Sequence, residues 1–167
     1  MIDHKILLRK TIVPLILFLT ISGLWSQQSG AVPTRTEIEE QYTWDLKPLY
    51  HSDQDWETDF KKLDAKIKLF SNYVGQLGKS EQQLLECLQL KDQTGILMGR
   101  LSAYASRLRD QDLGNTTNQA RAQRIQSLGT KLSNATAFIE PEILEINDRK
   151  LNQFKRKVKG LALYDFY

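Results

Sequence analysis

The sequence predicts an all-α protein: an antiparallel bundle of three to four helices, preceded by a signal peptide and a short extended arm. Apolar residues recur at alternating spacings of three and four in several segments, which is the pattern of amphipathic helices. No segment alternates with period two over a useful length, and the chain has no internal repeat. At 167 residues it has the length of about one domain.

The first 26 residues are predicted to be a signal peptide. Three basic residues in the first ten are followed by an uncharged apolar run, Thr11–Trp25, and then by small polar residues. This layout predicts export to the periplasm or the exterior, with cleavage after Ser26 or Ala31 and then no stable membrane insertion. The alternative is an uncleaved membrane anchor, although the run is shorter than the roughly 20 residues that a spanning helix needs.

Residues 27–41 are polar, carry Gly30 and Pro33 and lack periodicity, which predicts a linker. The helical domain is predicted over residues 42–167. It opens with an arm, because Pro48 prevents a long helix from running through WDLKPLY. Its apolar residues should pack on the helices rather than form a free linker, and they are Trp44, Leu46, Leu49 and Tyr50.

Two capping patterns mark the starts of the first two helices. Ser52 and Asp55 resemble a capping box, and the stripe that follows consists of Trp56, Phe60, Leu63, Ile67 and Phe70. The second helix is predicted over Ser80–Arg109, either as one long helix or as two nearly continuous helices separated at Lys91–Gly95. Its two glycines are predicted to let a neighbouring helix come close, and these are Gly95 and Gly99.

The third helix is predicted from Thr116 or Thr117 to Ile139, and Pro141 should end or kink it. Its stripe consists of Ile125, Leu128, Leu132, Ala135 and Ile139. A short turn and a fourth helix over Asp148–Lys157 are predicted to follow.

The charges are nearly balanced. The chain has 23 Lys and Arg against 20 Asp and Glu, and beyond residue 26 the numbers are 20 and 19. We find no basic stripe or concentrated patch along the sequence and therefore predict no nucleic-acid partner. The single cysteine, Cys87, allows no internal disulfide and is predicted to lie in the core.

Few residues could carry catalysis. The two histidines are His4, inside the predicted signal peptide, and His51. Because a zinc site needs three or four convergent ligands, His51 and Cys87 cannot supply one. The sequence has no HExxH, Walker loop or GxGxxG motif. We therefore predict no catalytic, cofactor-binding or metal-binding residue in this chain.

Two groups of polar residues have alternative interpretations. Glu140 and Glu142 could act as a carboxylate pair, but a solvated helix terminus explains them more simply. Three arginines near Tyr104 could hold a peptide carboxylate, although a solvated face with ion pairs is the simpler interpretation. These arginines are Arg100, Arg107 and Arg109.

The stretch YTWDLKPLYHSDQDWETDFKKL resembles the start of oligoendopeptidase F and its relatives among the zinc metallopeptidases related to thimet oligopeptidase. In that family an entry of the form W-D-L-x-x-L-Y is followed by a Ser or Asp and a Trp-bearing helix. Arg100–Asp112, Leu132–Leu144 and the final LALYDFY resemble later family segments in the same order, so the resemblance covers residues 42–167. The residues that carry the entry motif are Trp44, Asp45, Leu46, Leu49, Tyr50, Ser52 and Trp56.

The resemblance implies the N-terminal domain that lines one side of the substrate channel in a zinc-dependent oligopeptide endopeptidase. In the full-length enzyme a later catalytic domain holds the zinc, so this chain is expected to be truncated before that domain and inactive by itself. Its implied partners are the catalytic domain of the same polypeptide and oligopeptide substrates. The alternative is a standalone exported helical module that binds peptides or a partner protein.

Overall fold

Five α-helices make up most of the residues that the computed structural model describes, which are 37–164. They are α1 (Asp53–Lys68), α2 (Glu81–Gln111), α3 (Thr116–Thr136), α4 (Ile139–Leu144) and α5 (Asp148–Lys157), and short 3₁₀ turns occur at Glu40–Tyr42, Leu69–Asn72 and Lys159–Tyr164. Residues 37–164 contain no strand, which agrees with the predicted all-α class. The predicted signal peptide (1–26) and most of the predicted linker (27–41) lie outside the described residues.

The first three helices form an up-down-up bundle. Trp56 Nε1 on α1 donates to the Leu101 carbonyl on α2 at 3.1 Å, whereas Lys66 further along α1 reaches Gln93, so these two helices are antiparallel. The α2–α3 pair is also antiparallel, because Asn118 Nδ2 at the start of α3 donates to the Leu108 carbonyl near the end of α2. The predicted antiparallel arrangement of consecutive helices is confirmed for α1 to α3.

Local sequence explains where the helices begin. Ser52, Ser80, Asn115 and Asn147 each accept a backbone N–H of the first turn through the side chain, which satisfies donors that a helix leaves unpaired. The Ser52 hydroxyl also donates to the Asp55 carboxylate at 2.8 Å. The predicted caps at Ser52 and Ser80 are therefore confirmed.

The buried apolar residues fall into two clusters. The bundle core lies between α1, α2 and α3 and consists of Tyr50, Trp56, Leu63, Ile67, Leu101, Tyr104, Ala105, Ile125 and Leu128. The C-terminal core joins the first half of α2 to α4, α5 and the last 3₁₀ turn, and consists of Phe70, Leu77, Leu84, Leu85, Cys87, Leu88, Leu90, Ile139, Ile143, Ile146, Phe154 and Leu161. Burial of each large apolar side chain contributes roughly 1.5–3 kcal/mol to folding.

The arm before α1 is ordered, as predicted. Tyr50 is buried in the bundle core, and Leu46 and Leu49 pack against it. Trp44 is about half exposed, but the guanidinium of Arg107 lies 5.7 Å from its ring centroid and Gln111 donates to its carbonyl. The arm is thus held to the C-terminal end of α2.

Two boundaries differ from the prediction. The third helix ends at Thr136 rather than Ile139, and a short helix that the sequence did not indicate, α4, contains Pro141. Proline is tolerated there because the first turn of a helix has no intrahelical acceptor for its missing N–H.

The second helix is one continuous helix through Lys91–Gly95, and the buried hydroxyl of Thr94 donates to the Leu90 carbonyl at 2.8 Å.

The predicted close approach at Gly95 and Gly99 is wrong, since a Cβ at either position would meet no atom within 4 Å. Close approach occurs at Gly129 instead, where a Cβ would lie 2.6 Å from Met98 Cε, and at Gly160, where it would lie 3.1 Å from Leu85 Cδ2. Among the described helices, none is both long and apolar enough to cross a membrane.

Candidate functional site

The two residues that could have contributed to a metal site or a nucleophilic site lie in different parts of the structure. His51 is exposed in the arm, whereas Cys87 is fully buried in the C-terminal core. Burial raises the pKa of the Cys87 thiol to about 12, so at neutral pH it is a protonated apolar group rather than a nucleophile. Within residues 37–164 no group of three His, Cys, Asp or Glu could hold a metal ion.

The three arginines predicted near Tyr104 do not converge on one site. Arg100 Nε donates to the Tyr50 hydroxyl at 3.0 Å, and its Nη2 pairs with Asp59. Arg107 lies over Trp44, and Arg109 pairs with the neighbouring Asp110 at 2.7 Å. The interpretation as a solvated face with ion pairs therefore fits the geometry better than a peptide-carboxylate clamp.

A fourth arginine, which the sequence did not single out, is the buried one. Arg121 on α3 is 7% exposed, and its Nη2 lies 2.6 Å from Asp53 Oδ2. Its guanidinium also lies 5.5 Å from the Trp56 ring centroid and 5.8 Å from that of Tyr104. No local pattern marks Arg121, because its burial depends on how α1 and α2 pack against α3.

Burial and polar contacts at the edge of the bundle core shift the pKa values of two tyrosines and one glutamate. Burial raises the pKa of Tyr104, and the Asp53 carboxylate, which accepts a hydrogen bond from the Tyr104 hydroxyl, adds to this effect. Burial likewise raises the pKa of Tyr50. The hydrogen bonds from Arg124 lower the pKa of Glu57, and Arg124 Nη2 lies 2.8 Å from Glu57 Oε2. These groups stabilise the packing of α1 against α2 and α3.

Glu140 and Glu142 do not form the carboxylate pair that the sequence left open as the alternative to a solvated helix terminus. Glu142 accepts the backbone N–H groups of Gly75 at 2.5 Å and Leu77 at 3.3 Å, whereas Glu140 is exposed. Gly75 has a φ of 71°, a left-handed conformation that favours glycine. Glu142 therefore holds the turn between α1 and α2 onto α4 and has a structural role.

An open groove with a volume of about 680 Å³ lies between α2 and α3. We call it the α2–α3 groove. Its walls carry one charged residue, Arg109, and are otherwise small, polar uncharged or apolar: Met98, Ser102, Ser106, Ala122, Ile125, Gln126, Gly129, Thr130, Ser133 and Asn134. From Met98 to Arg109 the helix advances by roughly 16 Å, which matches about five residues of extended peptide.

One segment departs from the even charge distribution inferred from the sequence. Residues 149–159 hold six Lys or Arg and no acid, whereas residues 37–148 hold 13 Lys or Arg against 18 acids. The sequence interpretation that found no concentrated basic patch is therefore wrong for this segment. It covers α5 and the start of the last 3₁₀ turn, and we call it the basic segment.

The helical domain is similar in sequence to one part of several bacterial oligopeptidases. It is 35% identical over 138 residues to oligopeptidase PepF of Bacillus subtilis (strain 168) and 30% identical over 133 residues to group B oligopeptidase PepB of Streptococcus agalactiae serotype III (strain NEM316). These alignments cover 83% and 80% of this chain but 21% and 22% of the relatives. No family model matches the chain.

The fold gives the same result. The crystal structure of oligoendopeptidase-F from Enterococcus faecium superposes with a TM-score of 0.62 and 30% identity, over 68% of this chain and 22% of that one. The chain is thus an all-α domain homologous to oligoendopeptidase F peptidases, and it spans about a fifth of the length of the relatives that it matches. The resemblance drawn from the sequence is confirmed.

Proposed function

We propose that this chain acts as the N-terminal, substrate-channel-lining helical domain of an exported, zinc-dependent oligopeptide endopeptidase and has no peptidase activity by itself. The observation that carries this proposal is identity of 30–35% to oligopeptidases over about four fifths of the chain. The zinc would belong to other parts of such an enzyme, since the described residues offer no set of ligands that fits it.

The exposed apolar residues support a domain that packs against more protein. Leu144 is 74% exposed and Leu163 is 78% exposed, and both lie beyond α3. The α2–α3 groove supports the channel role, because it is open, long enough for a short peptide and nearly free of charge. A wall of this kind would accept oligopeptides of varied sequence, since few charged side chains would select among them.

The gene provides the first test. We expect sequencing of the coding DNA beyond the Tyr167 codon to reveal an HExxH motif within a few hundred codons, in frame or one base out of frame. If no such motif is found, the standalone peptide- or protein-binding module becomes the better description. Hydrolysis of a short fluorogenic peptide by the pure 167-residue chain, abolished by a chelator, would contradict the proposed inactivity.

The groove is tested by two matched tryptophan variants on α3. Gln126 lines the α2–α3 groove, whereas Gln123, three residues earlier and also exposed, does not. We expect Gln126→Trp to weaken binding of a fluorescein-labelled octapeptide at least about tenfold by fluorescence anisotropy, because the indole fills the groove, while Gln123→Trp changes it little. Equal effects of the two variants would place peptide binding elsewhere on the domain.

A further inference from the structure

The basic segment gives the described domain a strong charge asymmetry. The basic segment carries a formal charge of +6, whereas residues 37–148 have five more acids than basic residues. Five of the segment's six cations are exposed, namely Arg149, Lys150, Arg156, Lys157 and Lys159. The domain as a whole is close to neutral, so the positive potential is confined to the surface of the basic segment.

The geometry turns these cations outward. Phe154 and Leu151 on α5 pack into the C-terminal core. Arg149 and Arg156 lie seven residues apart, about two turns, and therefore share the outer face of the helix. Lys157 is engaged by Glu81 at 3.1 Å. Arg149, Arg156 and Lys159 form no ion pair with any residue in the range 37–164, so their charge is not neutralised locally.

We propose that the basic segment is a contact surface for the anionic headgroups of a lipid membrane. The outer face of a single helix is convex and cannot enclose a small anion, so it suits an extended and nearly flat anionic surface. α5 exposes no large apolar side chain, because Leu151 and Phe154 are turned inward. The contact is therefore electrostatic and peripheral, without insertion of the helix.

The charge distribution favours a membrane over a nucleic acid. A DNA duplex places phosphates on both sides of the groove that receives a binding helix. The excess acids of residues 37–148 would repel those phosphates. A planar surface touches only the basic segment and leaves the acidic remainder facing the solvent. The predicted signal peptide, which contains the apolar run Thr11–Trp25, would also bring this chain to a membrane during export. The contact is independent of the proposed peptidase role.

The test compares binding of the full 167-residue chain to vesicles of phosphatidylglycerol and phosphatidylcholine with binding to phosphatidylcholine alone. The patch variant is Arg149→Gln/Arg156→Gln/Lys159→Gln. The matched control, Lys47→Gln/Lys61→Gln/Lys62→Gln, removes the same net charge from exposed positions elsewhere. All three proteins carry the same N-terminal apolar run, so its contribution cancels in the comparison, and far-UV circular dichroism checks that each is folded.

We expect the patch variant to lose on the order of a hundredfold in partitioning onto anionic vesicles, at about fivefold per cation, and the control to lose less than about threefold. Binding to neutral vesicles should be the same for all three, and 0.5 M NaCl should remove the difference between patch variant and wild type. Equal losses in patch and control variants would overturn the proposal, as would no preference of the wild type for anionic vesicles. A 20-base-pair DNA duplex that binds the wild type more tightly than the anionic vesicles would assign the surface to nucleic acid instead.

Discussion

The bundle core has nine buried residues and the C-terminal core has twelve, and the two cores are bordered differently. Charged residues surround the bundle core: Arg121 and Arg124 lie over Trp56, and Arg100 lies over Tyr50. The C-terminal core is closed mainly by apolar side chains, with Glu142 as a backbone anchor. Directional polar contacts connect α1 to α2 and α3, whereas the short helices are held mainly by burial of apolar side chains.

The largest effect is expected from Trp56→Ala in the bundle core. Trp56 is 0% exposed and donates to the Leu101 carbonyl at 3.1 Å, so its truncation removes apolar contacts, opens a cavity and removes this hydrogen bond between α1 and α2. We expect a loss of about 3–5 kcal/mol in the free energy of unfolding. Urea titration followed by far-UV circular dichroism measures it.

The control is Trp44→Ala, because Trp44 is half exposed in the arm and should cost less than about 1 kcal/mol. Similar losses for the two tryptophans would mean that the arm is as important to the fold as the bundle core.

The next effect concerns the C-terminal core. Leu84 is 1% exposed, and we expect Leu84→Ala to cost about 2–5 kcal/mol. The adjacent thiol of Cys87, fully buried and with its pKa raised to about 12, reports how often this core opens. Its labelling by a thiol reagent should become at least about thirtyfold faster in Leu84→Ala.

Trp56→Ala provides the contrast between the two cores. If they open separately, Trp56→Ala accelerates labelling of Cys87 much less than Leu84→Ala does for the same loss of stability. If labelling follows global stability alone, the two cores form one cooperative unit and the division between them is only geometric.

A smaller effect is expected from the ion pair between Arg121 and Asp53. Arg121 is 7% exposed, but the side chain of Asp53 is 63% exposed and is therefore partly screened by solvent. We expect a double-mutant cycle of Arg121→Met and Asp53→Asn to give a coupling of about 1 kcal/mol that decreases with added salt. A coupling indistinguishable from zero would show that Arg121 acts only through the rings of Trp56 and Tyr104.

The sequence predicted what depends on neighbours along the chain. Residue spacing identified the bundle-core face of α1, and the bounds of α5, Asp148–Lys157, agree with the prediction. Side chains that cap their own helix, such as Ser52 and Ser80, were also predictable, because the capping oxygen and the backbone N–H that it accepts lie three residues apart.

The sequence could not predict what depends on packing between helices. The close contact at Gly129 rather than Gly95 follows from the register of α2 against α3, which no local pattern encodes. Arg121 looks like any other charge on a polar helix face until Trp56 and Tyr104 are placed around it. Pro141 suggested a helix end, yet the chain starts a new helix there, and Glu142 on that helix accepts a hydrogen bond from Gly75 in the distant turn between α1 and α2.

The smallest effect is expected at the partly exposed pair of Glu57 and Arg124, and its size depends on pH. The hydrogen bonds from Arg124 lower the pKa of Glu57 in the folded protein, so the pair stabilises the fold above the unfolded pKa of about 4.3. That contribution is lost as the pH falls through the lower folded pKa, because a protonated Glu57 no longer attracts Arg124. At neutral pH we expect Glu57→Gln to cost less than about 1 kcal/mol.

Denaturant titrations of wild type and Glu57→Gln at pH 7, 4.5 and 3 should show a stability difference that shrinks toward acid and with added salt. Glu86→Gln is the control, because Glu86 accepts a hydrogen bond from the neutral side chain of Gln82 rather than from a cation. Its difference from wild type should change less between pH 7 and pH 3. A Glu57 difference that persists at pH 3 would mean that Arg124 is held by the rings of Phe60 and Trp56, so that the border of the bundle core depends on aromatic contacts more than on ion pairs.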